Sequence, residues 1–162
     1  MKLRALEEKD AEKMLEWMHD AELVKYMAKD FTSMNIDNCL GFIRRSGEDQ
    51  ENLNLAVVDE KDEYMGTVSL KEIRPEEKSA EFAITVRRPA MGKGYSAFAM
   101  KEMIRIGREK GLEKIYWCVS KENLRALAFY DKNQYRRIAY DDLKIESGYT
   151  EEQLADYIWY LA

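Results

Sequence analysis

The first third of the chain has apolar residues at the spacing of short amphipathic helices. One helix is predicted after Asp10, a good N-cap residue, because apolar positions then recur every three or four residues. A second helical stretch covers about Asp20–Met27, and a third starts at Ser33 or Asn35. A short strand is predicted before them, over Lys2–Ala5. The chain therefore opens with one strand and two or three short helices.

The pattern changes to that of β-strands in the middle of the chain. Leu53–Asp59, Tyr64–Ile73 and Ala80–Arg87 are rich in residues that favour strands, and short polar turns separate them. Connections this short join antiparallel neighbours. We therefore predict a three-stranded antiparallel meander.

The last third alternates helices and strands. A helix is predicted up to Lys110, where Gly111 ends it, and Lys114–Val119 is a strand. Because a helical crossover precedes that strand, we expect it to lie parallel to Ala80–Arg87. The remaining predicted elements are a helix from Asn123 to about Asn133 and strands at Arg136–Tyr140 and near Asp156–Leu161. No repeat or linker interrupts residues 1–162, which predicts a single domain of mixed α+β class.

Composition adds limits on partners and location. The net charge is −5 and no Lys/Arg run stands out, so nucleic acid is not an expected partner and a cationic substrate such as an amine is favoured. No apolar stretch approaches the ~20 residues of a membrane span, and the first residues lack the apolar core of a secretory signal. Cys39 and Cys118 lie in apolar-periodic segments, which predicts reduced thiols and a cytoplasmic location. The single histidine, His19, is expected at the surface, and no metal site is expected.

The segment Gly92-Lys93-Gly94-Tyr95-Ser96-Ala97 lies between a predicted strand and a predicted helix. Two glycines permit a tight turn with inward N–H groups, and the helix start adds unpaired N–H groups and a positive dipole end. This favours a pyrophosphate site, although a plain strand-to-helix turn explains a Gly-x-Gly about equally well. The dinucleotide fingerprint G-x-G-x-x-G/A also fits, but it belongs to a parallel doubly wound sheet. An antiparallel meander precedes the turn here and no acidic residue ends the next strand, so a nicotinamide cofactor is disfavoured.

A second motif follows the glycine turn, with Asn123, Ala126, Tyr130 and Lys132 at its defined positions. Together the two motifs resemble the hallmark of the GNAT family of N-acetyltransferases. That hallmark is Arg/Gln-x-x-Gly-x-Gly/Ala, a helix and a strand, and then Asn-x-x-Ala-x-x-x-Tyr-x-Lys-x-Gly-Phe. The resemblance is close over Ser79–Tyr140, and the order of the elements extends it over nearly the whole chain.

The sequence departs from the hallmark at several positions. Met91 replaces Arg/Gln, Ser96 replaces the last Gly/Ala, and Gln134-Tyr135 replaces Gly-Phe. Met91 should matter little if backbone N–H groups hold the phosphates. The resemblance implies a twisted, mostly antiparallel sheet of about six or seven strands. It also implies a central parallel pair that splays and helices on both faces.

The resemblance implies acetyl-CoA as the co-substrate. The pantetheine arm would be flanked by Ile84, Thr85 and Val86, where a backbone N–H would polarise the thioester carbonyl. Asn123 would hydrogen-bond the arm, or serve as the N-cap of the helix that it starts, or both. The pyrophosphate would lie on the turn formed by Met91, Gly92, Lys93, Gly94, Tyr95, Ser96 and Ala97.

The resemblance also implies catalytic roles. Tyr130 matches the tyrosine that protonates the departing thiolate; the alternative is a core aromatic residue with a satisfied hydroxyl. Glu81 occupies a strand position where many members keep a carboxylate as base, often acting through water; the alternative is a solvated charge. Trp17, Tyr26 and Phe31 come from the region that walls the acceptor site in the family, although some of this region is expected to be core.

The acceptor is predicted in general terms only. The opening residues are loosely similar to a branch that includes ribosomal-protein N-terminal acetyltransferases and enzymes that acetylate amino sugars and polyamines. A small-molecule amine is the first predicted acceptor and a protein α-amine is the second. A non-catalytic acyl-CoA-binding module is the alternative from another class. Oligomeric state, with a homodimer as one option, and the use of longer acyl donors stay open.

Overall fold

The computed structural model describes residues 1–162, and its centre is one seven-stranded sheet. The strands are β1 (Lys2–Ala5), β2 (Leu53–Val58), β3 (Tyr64–Arg74), β4 (Ser79–Val86), β5 (Lys114–Ser120), β6 (Arg136–Ile138) and β7 (Tyr157–Leu161). Their order across the sheet is β1-β2-β3-β4-β5-β7-β6. Every neighbouring pair is antiparallel except β4 and β5. This confirms the predicted meander, the parallel pair and the α+β class.

Seven helices surround the sheet. They are α1 (Ala11–Met18), α2 (Ala21–Val24), α3 (Ile36–Ser46), α4 (Tyr95–Glu109), α5 (Leu124–Lys132), α6 (Tyr140–Leu143) and α7 (Glu151–Asp156). The second helix is shorter than predicted, since it ends at Val24. The apolar pattern does not predict α6 and α7, because four and six residues are too few for a helical period to show. No helix has both the length and the apolar character that crossing a bilayer requires.

Asp10 occupies the predicted N-cap position of α1, but its side chain makes no capping hydrogen bond there. Its backbone is already helical, at the end of a 3-10 turn over Glu8–Asp10. The buried carboxylate instead accepts two hydrogen bonds from the Arg4 guanidinium, at 2.8 and 2.9 Å. It also accepts one from the backbone N–H of Glu7, at 2.9 Å. The start of the helix is therefore confirmed, whereas the carboxylate binds the guanidinium brought in by β1 rather than the helix N–H groups.

The two faces of the sheet carry separate cores. Ala80 and Phe82 of β4 belong to a cluster built with Met100 and Met103 of α4 and Leu127 of α5. On the opposite face, α1 and α3 pack on β2 and β3, and a smaller aromatic cluster lies on β5 and β7. This confirms helices on both faces. Because side chains alternate along a strand, Glu81 lies on the face opposite Ala80 and Phe82.

The parallel pair β4–β5 is short and then opens. Only Ser79, Ala80 and Glu81 of β4 have partners in β5, namely Lys114, Ile115 and Tyr116. Beyond Glu81, β4 continues to pair with β3, and β5 continues to pair with β7. The strands β4 and β5 no longer pair with one another there. The central pair therefore splays as predicted, and leaves a wedge-shaped opening in the middle of the sheet.

Candidate active site

A cleft of about 750 Å³ lies at this opening. Its walls come from α2, the open end of β4, the glycine turn and the first turns of α5. The structure brings eleven of the sixteen predicted site residues to this cleft. These are Tyr26, Ile84, Thr85, Val86, Met91, Gly92, Gly94, Ser96, Ala97, Asn123 and Tyr130.

The glycine turn presents a row of backbone donors. Gly92 and Gly94 have φ of +71° and +87°, a conformation that glycine adopts at no steric cost. Gly94 is the N-cap residue of the fifteen-residue helix α4. None of the N–H groups of residues 92–97 donates a hydrogen bond within the chain. Six unpaired donors at the positive end of a helix form a site suited to an anion.

Arg125 is a site residue that the sequence analysis did not single out. Its Nη1 lies 3.1 Å from the Met91 sulfur, and both residues line the cleft. Its guanidinium has no carboxylate partner, unlike that of Arg88, which is paired with Asp20. Arg125 thus brings a positive charge to the position where the family hallmark has Arg or Gln. Its position between Asn123 and Ala126 in the second motif could have indicated that it lies near the cofactor.

Asn123 caps α5. Its side-chain oxygen accepts a hydrogen bond from the backbone N–H of Ala126 at 3.2 Å. It also lines the cleft. The capping role is therefore filled in the structure, and a second acceptor lone pair on the same oxygen is free for another donor.

Tyr130 projects from α5 into the inner end of the cleft. The residue is 8% exposed, and its ring lies among aromatic neighbours, with centroids 5.3 Å from Trp117 and 5.2 Å from Tyr160. Tyr160 donates its own hydroxyl to Asp131, whereas the Tyr130 hydroxyl has no partner within the chain. Burial raises the pKa of Tyr130, so the phenol stays protonated at physiological pH. It is equipped to donate a proton or hydrogen bond.

Glu81 does not line this cleft; it lies where the β4–β5 pairing ends, on the face opposite Ala80 and Phe82. It is 6% exposed. Its Oε1 accepts a hydrogen bond from the Tyr149 hydroxyl at 2.8 Å, and the Lys71 ammonium is 3.7 Å away. A buried carboxylate and a buried phenol therefore lie on opposite faces of the sheet at the splay.

The remaining predicted residues lie outside the cleft. Trp17 is buried between the sheet and α3; its Nε1 donates to the Tyr64 hydroxyl at 2.9 Å, and Phe31 packs edge-on at 5.1 Å. Lys93 is exposed at the tip of the turn, and Tyr95 packs against the core cluster. No group of three or more His, Cys, Asp or Glu side chains is arranged to hold a metal ion.

An ion pair joins the glycine turn to the cleft wall formed by α2. Asp20 caps α2 by accepting from the backbone N–H groups of Glu22 and Leu23, at 3.2 and 3.3 Å. The same carboxylate binds the guanidinium of Arg88, with Nη2 to Oδ1 at 2.9 Å. Arg88 lies just before the glycine turn, so the two sides of the cleft mouth are tied together.

Comparisons with known proteins agree with this architecture. A spermidine N-acetyltransferase from Vibrio cholerae, solved with CoA and spermine, is 22% identical with a TM-score of 0.78, covering 99% of this chain and 94% of that one. A dodecameric structure of spermidine N-acetyltransferase from the same organism is 23% identical with a TM-score of 0.70, covering 99% of this chain and 92% of that one. A probable acetyltransferase is 21% identical with a TM-score of 0.77, covering 99% of this chain and 91% of that one. At these identities the likeness shows the fold.

The family assignment comes from the sequence itself. No curated protein sequence matches the chain. The family model of the acetyltransferase (GNAT) domain matches residues 1–136, which include the glycine turn and the Asn123–Tyr130 motif. The chain therefore belongs to the GNAT acetyltransferase family, and is an N-acetyltransferase that takes its acetyl group from acetyl-CoA.

Proposed function

We propose that the acetyl group is transferred to a small-molecule amine, with a polyamine as the first candidate. The observation that carries this proposal is the distribution of charge. The chain has 31 acidic and 26 basic residues. The segment 141–156 contains six of the acidic residues and one of the basic residues, so the rest of the chain has 25 of each sign.

The acidic segment belongs to the face of the sheet on which Glu81 lies. Tyr149, in the middle of the segment, donates its hydroxyl to Glu81. A negative field on this side raises the local concentration of a cationic amine and repels anionic competitors. The structural neighbours include an enzyme solved with spermine, which supports a polyamine over an amino sugar. A homodimer and a cytoplasmic location stay predictions.

The cleft at the opening between β4 and β5 fits acetyl-CoA, which supplies an acetyl group activated as a thioester. The N–H groups of residues 92–97 would bind the pyrophosphate, and Arg125 would add a positive charge beside it. Ile84, Thr85 and Val86 would flank the pantetheine arm along the open edge of β4. Lys93 and Tyr95 would contribute through their backbone only.

The roles of Glu81 and Tyr130 follow from their places on opposite sides of the splay. Glu81 would take a proton from the incoming amine, directly or through water, so that nitrogen can attack the thioester carbonyl. A C–N bond forms and the C–S bond breaks. Tyr130 would donate to the departing sulfur. The products are the N-acetylated amine and the free thiol of CoA.

Gly94→Val is expected to weaken acetyl-CoA binding at least tenfold, because a branched side chain at φ +87° distorts the turn and obstructs the phosphates. Isothermal titration calorimetry measures the effect. Gly111→Val is the matched control, since Gly111 has φ +86°, open space around it, and a place at the far end of the same helix. Equal affinity of both variants for acetyl-CoA would remove the glycine turn from the binding site.

An amine panel tests the acceptor. We expect thiol release from acetyl-CoA to be fastest with a diamine or triamine, and kcat/KM for a triamine to fall more steeply with ionic strength than that for a monoamine. An amino sugar and a peptide with a free α-amine complete the panel. Preference for the peptide would replace the proposal with a protein acceptor. Tight acetyl-CoA binding without turnover on any amine would indicate a binding module.

A further inference from the structure

The Glu81 carboxylate has one short hydrogen bond, and its donor is 68 residues away. The Tyr149 hydroxyl lies 2.8 Å from Glu81 Oε1. The charged and titratable groups nearest to it are Lys71 from β3, Tyr116 and Cys118 from β5, and Tyr157 from β7. Glu72, Arg74 and Tyr140 act on Tyr116, and Asp156 acts on Tyr157. The Lys71 ammonium, at 3.7 Å, is the nearest cation. Tyr149 is therefore the closest hydrogen-bond donor to this carboxylate.

Tyr149 is itself held in place. Its ring packs edge-on against Tyr157 and Trp159, with centroids 5.4 and 5.6 Å apart. Its backbone N–H donates to the Ser147 hydroxyl, which also lies 3.0 Å from the Tyr140 hydroxyl. Burial is the main cause that raises the pKa of Tyr149, so the hydroxyl remains a donor. A fixed, protonated donor faces a buried carboxylate.

We propose that Tyr149 is a positioning residue for the transfer reaction, which holds the Glu81 carboxylate in one orientation so that it accepts the amine's proton. The inference rests on the proposed role of Glu81 as base. Without Tyr149, the carboxylate at position 81 would lose its one short hydrogen bond and would occupy several orientations, of which only some face the incoming amine.

Tyr149→Phe keeps the ring and removes the donor. Carbon-13 NMR of the free protein at neutral pH, with labelled glutamate, should show the carboxyl signal of Glu81 move and broaden, because the carboxylate loses its fixed hydrogen bond. The Glu81 signal is identified as the one missing from Glu81→Gln. Tyr135→Phe is the control, since it removes a tyrosine hydroxyl from the aromatic cluster on the other face of the sheet without touching Glu81 or Tyr149. Its Glu81 signal should stay at the wild-type position.

Kinetics provide the second measurement. For Tyr149→Phe the ratio of variant to wild-type kcat/KM should be about one-tenth at pH 7 and should rise toward one as pH approaches the pKa of the amine, because an amine that arrives neutral needs no base. For Tyr135→Phe this ratio should stay near one at every pH. In the double variant with Glu81→Gln, Tyr149→Phe should add no further loss, because it acts only through Glu81.

The outcomes separate the two hypotheses. If Glu81→Gln is as active as the wild type, the role of Glu81 as base fails, and with it the reason for the inference. If Glu81→Gln is severely impaired but Tyr149→Phe keeps the wild-type Glu81 signal and wild-type kcat/KM, Glu81 is the base and Tyr149 merely packs. A further loss in the double variant would mean that Tyr149 acts on the substrate itself.

Discussion

Tyr130→Phe is expected to lower turnover at least tenfold while leaving acetyl-CoA affinity nearly unchanged. The hydroxyl has no partner within the chain and lines the inner end of the cleft, so the protein loses no internal hydrogen bond. The ring contacts with Trp117 and Tyr160 are kept. The hydroxyl acts when charge develops on sulfur, and such an interaction lowers kcat more than it affects binding. Stopped-flow thiol detection and calorimetry measure the two quantities.

A matched control and a change of donor sharpen this test. Tyr135→Phe removes a hydroxyl from the same aromatic cluster, at a residue that does not line the cleft, and should retain full turnover. An acyl donor whose thiol has a lower pKa should reduce the deficit of Tyr130→Phe, because a better leaving group needs less protonation. Wild-type turnover by a folded Tyr130→Phe protein that binds acetyl-CoA would exclude Tyr130 as the acid.

Glu81→Gln is expected to have the largest effect, a fall in kcat/KM of ~10²–10⁴-fold at neutral pH. Glutamine has the same shape and still offers an oxygen to the Tyr149 hydroxyl, so the fold should be retained. The deficit should shrink as pH rises toward the pKa of the amine, because the amine then arrives already neutral. A pH series of initial rates with the best acceptor measures both features.

Glu76→Gln serves as the control for removal of a single negative charge. Glu76 is exposed in the turn between β3 and β4, so this variant should keep wild-type kcat/KM. A general-base effect is far larger than threefold. If kcat/KM of Glu81→Gln falls by less than about threefold across the whole pH range, Glu81 is a charge with no catalytic role.

Local patterns were enough to predict the frame of the molecule. The strand period and the short turns give the meander, and the crossover rule gives the parallel direction of β5. The turn around Gly92 and Gly94 is predicted because conformational freedom is encoded in the residue type itself. These features depend only on residues that are close together in the sequence, so a single sequence is enough to predict them.

Contacts between distant segments were not predictable in this way. Aspartate is a residue type that favours N-cap positions, yet the Asp10 carboxylate binds the Arg4 guanidinium from β1 instead of the N–H groups of α1. Nothing local distinguishes Tyr149 from the other tyrosines, because its partner Glu81 is on another strand. Trp17 shows the same limit, since an apolar helix face has one pattern whether it covers a core or lines a cleft.

The ion pair between Arg88 and Asp20 has a consequence for how the two substrates affect each other's binding. The carboxylate that caps α2 is held by the residue that leads into the glycine turn. Glu22 and Leu23 of α2 line the cleft, so a ligand that fixes the turn also fixes that wall. Coupling between two ligands is reciprocal, so any gain in amine affinity caused by acetyl-CoA is matched by an equal gain in acetyl-CoA affinity caused by the amine. We therefore expect the amine affinity of the free protein to differ from that of its binary complex with acetyl-CoA.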